Sequence, residues 1–248
     1  MKDPHDFTFE PFNRDVAANA GYLYTTDSKL SSQMANRRLS DASLMALSIA
    51  GKRVIDIGCG DGSYTLELFD RGTPASMCGV DPAEKAIEVA LQRVDSRGNI
   101  TFAVNSGYEL PYEKDSFDIA YVRGVLHHVE QPMDVLREAL RVAPTLLIIE
   151  PNGYNPILKL IERFSRYHRE HHEKSYTAAR LESWIRSLGG EVRSRQWVGL
   201  VPFFCPDWMA RSLKMIEPVI EDLPLARTCA CAVCVMVVSR LTEHQGGK

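Results

Sequence analysis

The sequence lacks any apolar run approaching the ~18–20 residues that span a bilayer, so no membrane-crossing helix is expected. It has no basic tail and no lysine-arginine block, and its net charge of −3 gives no general attraction to nucleic acid. No internal repeat or low-complexity tract interrupts the 248 residues, which argues against a solenoid or a disordered spacer. The N-terminus, Met1-Lys2-Asp3-Pro4-His5-Asp6, is polar and is not followed by an apolar signal core. The six cysteines, at 59, 78, 205, 229, 231 and 234, are not spaced as a disulfide framework. These absences lead us to expect a reducing, cytoplasmic compartment.

What is present is an alternation of short buried strands and amphipathic helices. Residues 1–26 read as irregular, and Ser28 to about Ala50 as a helix ended by Gly51. Strands are expected at Arg53–Ile57, Ser76–Val80, Ile100–Val104, Phe117–Val122 and Thr145–Ile149, the last stopped by Pro151. Helices are expected at Ser63–Phe69, Pro82–Asp95 and Met133–Val142, with Pro82 in a first turn. Such units build a mostly parallel sheet covered by helices on both faces. Further on, Asn155–Lys174 and Ala178–Leu188 read as helices, and Glu191–Val198 as a strand. The proline-bearing stretch Leu200–Thr228 reads as an insertion, and the apolar Cys229–Ser239 as a strand buried on both faces. We expect one α/β domain over 51–248, with an N-terminal helical cap over 1–50 and lid-like insertions near 151–175 and 200–228.

The chemistry begins at Val54-Ile55-Asp56-Ile57-Gly58-Cys59-Gly60-Asp61-Gly62. Gly58, Gly60 and Gly62 follow a buried strand and precede a helix, so the backbone can turn tightly and approach a ligand around Cys59. The amides at the helix start then face an anionic group. A dinucleotide fold uses the same geometry, but its third spaced glycine is here Ser63. Asp56, just inside the loop, repels a pyrophosphate and suits a ligand bearing an ammonium group, as the methionine end of S-adenosylmethionine does. Asp81, about twenty residues beyond the loop, is placed to accept ribose hydroxyls. It is placed equally well to cap the helix at Pro82.

The segment VIDIGCGDG, then VDP at 80–82, ELP at 109–111, SFDIAYVRGVLHHV at 116–129 and TLLIIE at 145–150 resemble successive motifs of class I S-adenosylmethionine-dependent methyltransferases. The nearest resemblance is to the small-molecule and lipid methyltransferases of the ubiquinone-biosynthesis type, strong over roughly residues 50–150. It implies a Rossmann-like three-layer sandwich whose mostly parallel, seven-stranded sheet has an antiparallel last strand. It implies that the loop after the third strand holds the adenine. Many members carry an aspartate there, whereas this chain departs with Ser106-Gly107-Tyr108. Arg123 and Val125 are then expected under the donor methyl, with His127 and His128 next. Histidine's unperturbed pKa lies near neutrality, which suits either residue as a general base, and His128 is placed slightly ahead. In similar enzymes the N-terminal segment folds over the cofactor, which makes Tyr24 and Arg38 candidate contacts to its carboxylate.

Other signals carry less. His168 and His172 share a helix face, a two-ligand spacing for a metal, but the neighbouring cations favour a solvated or substrate-facing segment, and no metal is expected. Cys229, Cys231 and Cys234 do not converge on one ion and read as buried strand cysteines. Phe203, Phe204, Trp208 and Met209, with Ile157, Leu160 and Ile161, either line an acceptor pocket or bury one another. Asn/Asp-Pro-Pro-Tyr, used by amino methyltransferases on adenine or glutamine, is absent, as is the cysteine pair of cytosine methylation. The expected partner is a small-molecule or lipid-like substrate, not nucleic acid. A nicotinamide-dependent oxidoreductase and a non-catalytic cofactor-binding module remain the alternatives.

Overall fold

A computed structural model describes residues 10–164 and 174–241. Seven strands form one sheet: β1 (Arg53–Ile57), β2 (Ser76–Asp81), β3 (Ile100–Val104), β4 (Ile119–Arg123), β5 (Thr145–Pro151), β6 (Gly190–Val198) and β7 (Val233–Arg240). Their spatial order is β3-β2-β1-β4-β5-β7-β6, and only β7 runs antiparallel to its neighbours. The helices are α1 (Glu10–Asn19), α2 (Leu23–Thr26), α3 (Leu30–Ala46), α4 (Ser63–Gly72), α5 (Glu84–Arg93), α6 (Pro132–Val142), α7 (Pro156–Phe164), α8 (Ala178–Ser187), α9 (Asp207–Asp222) and α10 (Pro224–Ala230).

Period-two alternation builds a core on each face of the sheet. Ala120, Val122, Leu146 and Ile148 point to one side, against Leu136 and Leu140 of α6 and Leu181 and Ile185 of α8. Ile119, Tyr121, Leu147 and Ile149 point to the other, against Leu39 of α3, Leu66 and Leu68 of α4 and Ile87 of α5. Each fully buried leucine or isoleucine contributes ~1.5–3 kcal/mol, so the two layers lock the strands in one register. The strand order reverses between β1 and β4, which opens a crevice at the carboxyl ends of these strands.

Several boundaries differ from the sequence expectation. The stretch 1–26 contains α1 and α2, because Val16 is buried against Ala83 and Ala86. That is a tertiary contact with no periodic signature. Helix α3 ends at Ala46 because Leu47 is already extended, and Gly51 instead turns the chain, at φ +67°, toward β1. Helix α5 starts at Glu84 rather than Pro82. Strand β5 runs through Pro151, which pairs with Val233. The 200–228 insertion holds α9 and most of α10. Cys229 lies exposed on α10 and Cys231 caps that helix, so only Cys234 of the three is a buried strand cysteine. Among the described residues no three His, Cys, Asp or Glu side chains are grouped to hold a metal. His168, His171 and His172 lie outside the described residues.

Candidate active site

The crevice is a cavity of about 520 Å³. Its floor is the glycine loop. The Gly58 and Cys59 amides both donate to the Val80 carbonyl, at 2.7 and 3.1 Å, which clamps the loop to the end of β2. A Cβ on Gly58 (φ +77°) would stand 2.3 Å from Val125 Cγ2, and one on Gly60 (φ +55°) 2.7 Å from the Tyr22 ring. Both glycines therefore serve conformation and clearance together. Cys59 is buried beneath the loop, and burial, reinforced by Asp81 and Asp56, pushes its thiol well above the ordinary value.

Asp81 first serves the protein's own framework. Its Oδ2 accepts from the Gly60 amide and its Oδ1 from the Ala83 amide, both at 2.9 Å. Each carboxylate oxygen keeps a lone pair for a further donor. Burial raises its pKa to about 6, against the lowering pull of those two amides. Pro82, Ser106, Gly107 and Tyr108 form the adjoining wall. Ser106 Oγ accepts from the Tyr108 amide at 3.2 Å, and the Tyr108 hydroxyl accepts from the Glu130 amide at 3.1 Å, where α6 begins.

Two expected contacts do not reach the cavity. Asp56 is one residue back from Ile57, and strand parity sends its side chain to the opposite face, under α4. There it accepts from Thr65 Oγ1 at 2.6 Å, and burial raises its pKa to about 7. The acid that this loop does bring to the cavity wall is Asp61, which the sequence pattern does not single out. Asp61 is 1% exposed and accepts from the Tyr22 amide (3.1 Å), from Thr25 Oγ1 and from the Ser63 amide (3.1 Å). Arg93 completes its shell at 3.1 Å. Asp61 thus ties the N-terminal segment to the glycine loop.

Arg38 is the other correction. Asn36, Leu39 and Ser40 share the helix face turned to the cavity and core, and Arg38 faces away from it. Its guanidinium binds Glu221 (Nε to Oε1, 3.0 Å) and lies 3.8 Å from the buried Glu217, both on α9. Removing it leaves Glu221 with the Gly199 amide alone, while Glu217 keeps Lys214 and the Leu200 amide. Arg38→Ala is expected to destabilise the fold by about 1.5–3 kcal/mol while leaving S-adenosylhomocysteine affinity of the folded protein unchanged. Urea unfolding and calorimetric titration check the two halves.

Tyr24 does line the cavity, its ring 5.2 Å from Phe203 and 5.4 Å from Phe204. Arg123 lines it too, stacked 3.6 Å above the Tyr64 ring and donating to Ser40 Oγ (3.1 Å) and Asn36 Oδ1 (3.2 Å). Val125 closes over Gly58 and forms part of the same wall.

The histidines stack with ring centroids 3.9 Å apart, and both line the cavity. Glu150, at the end of β5 and 1% exposed, organises them. Its Oε1 accepts from the Val125 and Leu126 amides, each at 2.8 Å, and its Oε2 lies 2.8 Å from His127 Nδ1. In the tautomer that donates from Nδ1 to Glu150, Nε2 is the nitrogen able to accept a proton. Glu150 is not among the residues the sequence singles out. The available signal is an acid closing a wholly apolar strand, which must find donors to be buried.

Comparison with known proteins agrees with this geometry. Residues 55–145 match the family described as "Methyltransferase domain". A 27-O-demethylrifamycin SV methyltransferase of Amycolatopsis mediterranei is 32% identical over 129 residues, which is 50% of this chain and 47% of that protein. A ubiquinone biosynthesis O-methyltransferase of Pseudomonas entomophila is 27% identical over 59% of this chain and 68% of its own length. The chain thus spans about half of the first relative and two thirds of the second. In fold, it is similar to magnesium protoporphyrin IX methyltransferase from Synechocystis with bound SAH: TM-score 0.66 and 15% identity, covering 94% of this chain and 97% of that one.

Sheet order and the likeness to solved structures define a Rossmann-like fold, with the glycine loop and the acid closing β2 at its crevice. Residues 55–145, a little over a third of the chain, are what the methyltransferase-domain family matches.

Proposed function

We propose that the protein transfers a methyl group to a hydroxyl oxygen of an apolar, lipid-like small molecule, with His127 as the base. The observation that carries this is the Glu150–His127 pair on the wall of a cavity whose outer part is lined by Leu158, Ile161, Val201, Phe203 and Phe204. The two relatives named above, one a rifamycin and one a ubiquinone O-methyltransferase, support oxygen as the acceptor atom.

The residues present fit the cofactor. The Gly58–Gly60 backbone leaves room that a Cβ would fill, Asp81 can take the ribose hydroxyls, and Ser106, Gly107 and Tyr108 flank the adenine side. When bound, S-adenosylmethionine supplies a methyl already activated on a sulfonium. The protein's own part is alignment, exclusion of water and removal of one proton. The acceptor hydroxyl gives its proton to His127 Nε2, and Glu150 stabilises the imidazolium through Nδ1. Glu150 is itself fixed by the Val125 and Leu126 amides, so the dyad is rigid before substrate arrives. The N-terminal segment, read as a cap over 1–50, closes the cofactor side through Tyr22, Tyr24 and Asp61.

We place the protein in the cytoplasm, acting on a small molecule rather than nucleic acid. Six free cysteines, a net charge of −3 and the lack of a membrane-crossing helix among the described residues support this. Calorimetric titration with S-adenosylhomocysteine and with NAD tests the cofactor, and methyl-labelled donor with hydroxylated apolar acceptors tests the transfer. Binding of S-adenosylhomocysteine alone and label on oxygen are expected. Tight NAD binding, or label only on nitrogen or carbon, would overturn the reading.

A further inference from the structure

Among the described residues, buried hydroxyls are satisfied almost everywhere. Ser31 donates to the Phe203 carbonyl, Ser32 to either Asp27 or the Phe203 carbonyl, Ser40 to Glu67, Ser43 to the Leu39 carbonyl and Thr65 to Asp56. Ser175 is different. It is 7% exposed, it lines the cavity, and its Oγ has no hydrogen-bond partner among the described residues. A buried hydroxyl left open in a native fold calls for a reason, and a ligand that completes it is one.

The backbone around Ser175 is fixed from every side. Its amide donates to Glu162 Oε1 at 3.0 Å, and its carbonyl accepts from Lys159 Nζ at 2.7 Å. The preceding amide, of Lys174, donates to the His127 carbonyl at 3.2 Å. The following residue, Tyr176, bridges to Asn152 and accepts from the Gly153 amide at 3.1 Å. All the scaffold's bonds go to the main chain, and the side chain is spent on none of them. This places Ser175 beside α7 and next to the backbone of the proposed base, on the wall of the same cavity as Leu158 and Ile161.

We infer that Ser175 is a specificity-determining residue that hydrogen-bonds an oxygen of the acceptor other than the one methylated. The substrate class is then an apolar ring or chain carrying at least two oxygens, one delivered to His127 and one meeting Ser175. This rests on the oxygen-methylation reading above. A phenol with one oxygen leaves the Ser175 hydroxyl unsatisfied, and a site built around a buried polar group discriminates against such an analogue.

The test uses the full chain with saturating S-adenosylmethionine. The probes are the ortho, meta and para dihydroxybenzenes bearing a heptyl chain, with para-heptylphenol as the one-oxygen control. The wild type is expected to show a KM roughly tenfold lower, or better, for at least one dihydroxy probe than for the phenol. Ser175→Ala should erase that advantage, leave the phenol KM and the cofactor KM unchanged, and not lower the melting temperature. Ser175→Thr should restore the advantage. An advantage that survives Ser175→Ala, or a wild type that prefers no dihydroxy probe, overturns the assignment while the oxygen-methylation reading stands. A wild type that methylates none of the four overturns that reading and the assignment with it.

Discussion

Asp81→Ala is expected to weaken S-adenosylmethionine binding by about 10²–10³-fold at neutral pH, the loss of two hydrogen bonds to a charged group. The same change removes the acceptor for the Gly60 and Ala83 amides, so the loop itself loses its anchor. The pH dependence gives a sharper signature. Burial lifts Asp81 from its ordinary 3.8 to about 6 in the unliganded protein. A carboxylate accepts both ribose hydroxyls, whereas a protonated acid accepts fewer bonds, so affinity should rise with pH. The dissociation constant at pH 5 should be about tenfold that at pH 7, and Asp81→Asn should flatten the dependence. Stability runs the other way. With the native pKa raised, the folded state binds more protons than the unfolded between about pH 4 and 6, and the unliganded protein loses stability as pH rises through that window. Asp56, raised to about 7, adds a contribution of the same sign but does not line the cavity. Asp56→Asn should therefore change the melting profile and leave the pH dependence of binding in place. Calorimetry and thermal melts across pH separate the two acids, and a pH-independent affinity in the wild type would remove Asp81 from the ribose site.

Where the chemistry is local in the chain, it is legible in the order of the residues. Strands β1 and β3 fall where short apolar runs are bounded by glycine, asparagine or a charged turn. The loop through Gly60 and the acid at Asp81 are set by the strand-turn-helix unit that contains them. Side-chain direction is harder. Asp56 and Asp61 are five residues apart in one motif; strand parity sends Asp56 behind the sheet, and the turn after β1 brings Asp61 to the cavity. The same holds on α3, where Asn36 and Arg38 differ by about 200° around the helix. Which of them meets the cavity depends on the face that Leu39 and Ala42 bury, and that face is decided by strands up to two hundred residues away. Glu150 escapes notice because its partners, the amides of Val125 and Leu126, carry no sequence identity at all. The N-terminal helices escape for a related reason: α1 is held by one buried valine on α5, a contact that leaves no period to detect.

The stacked histidines give the second large effect, and the outcome decides between neighbours that sequence alone leaves open. His127→Ala should lower kcat by about 10²–10⁴-fold, the usual contribution of a positioned general base, with cofactor affinity nearly intact. His128→Ala should cost less than tenfold, a scale set by packing rather than proton transfer. Glu150→Gln is the more telling variant, because it keeps the shape and removes one capacity. Glu150 accepts at both oxygens: two main-chain amides on Oε1 and His127 Nδ1 on Oε2. A glutamine accepts on only one side. If its oxygen keeps the amides, its NH₂ faces His127 and forces the proton from Nδ1 to Nε2, leaving no basic nitrogen for the substrate. If it turns round, the Val125 and Leu126 amides lose their acceptor and the loop carrying both histidines shifts. Either way kcat should fall nearly as far as in His127→Ala, and the double variant should be little worse than either single one, as expected for residues acting as a unit. An acidic limb of the kcat profile is expected in the wild type and should vanish in His127→Ala. A larger loss in His128→Ala than in His127→Ala, or a full acidic limb surviving without His127, would move the base to His128 and leave Glu150 a purely structural clasp on the loop.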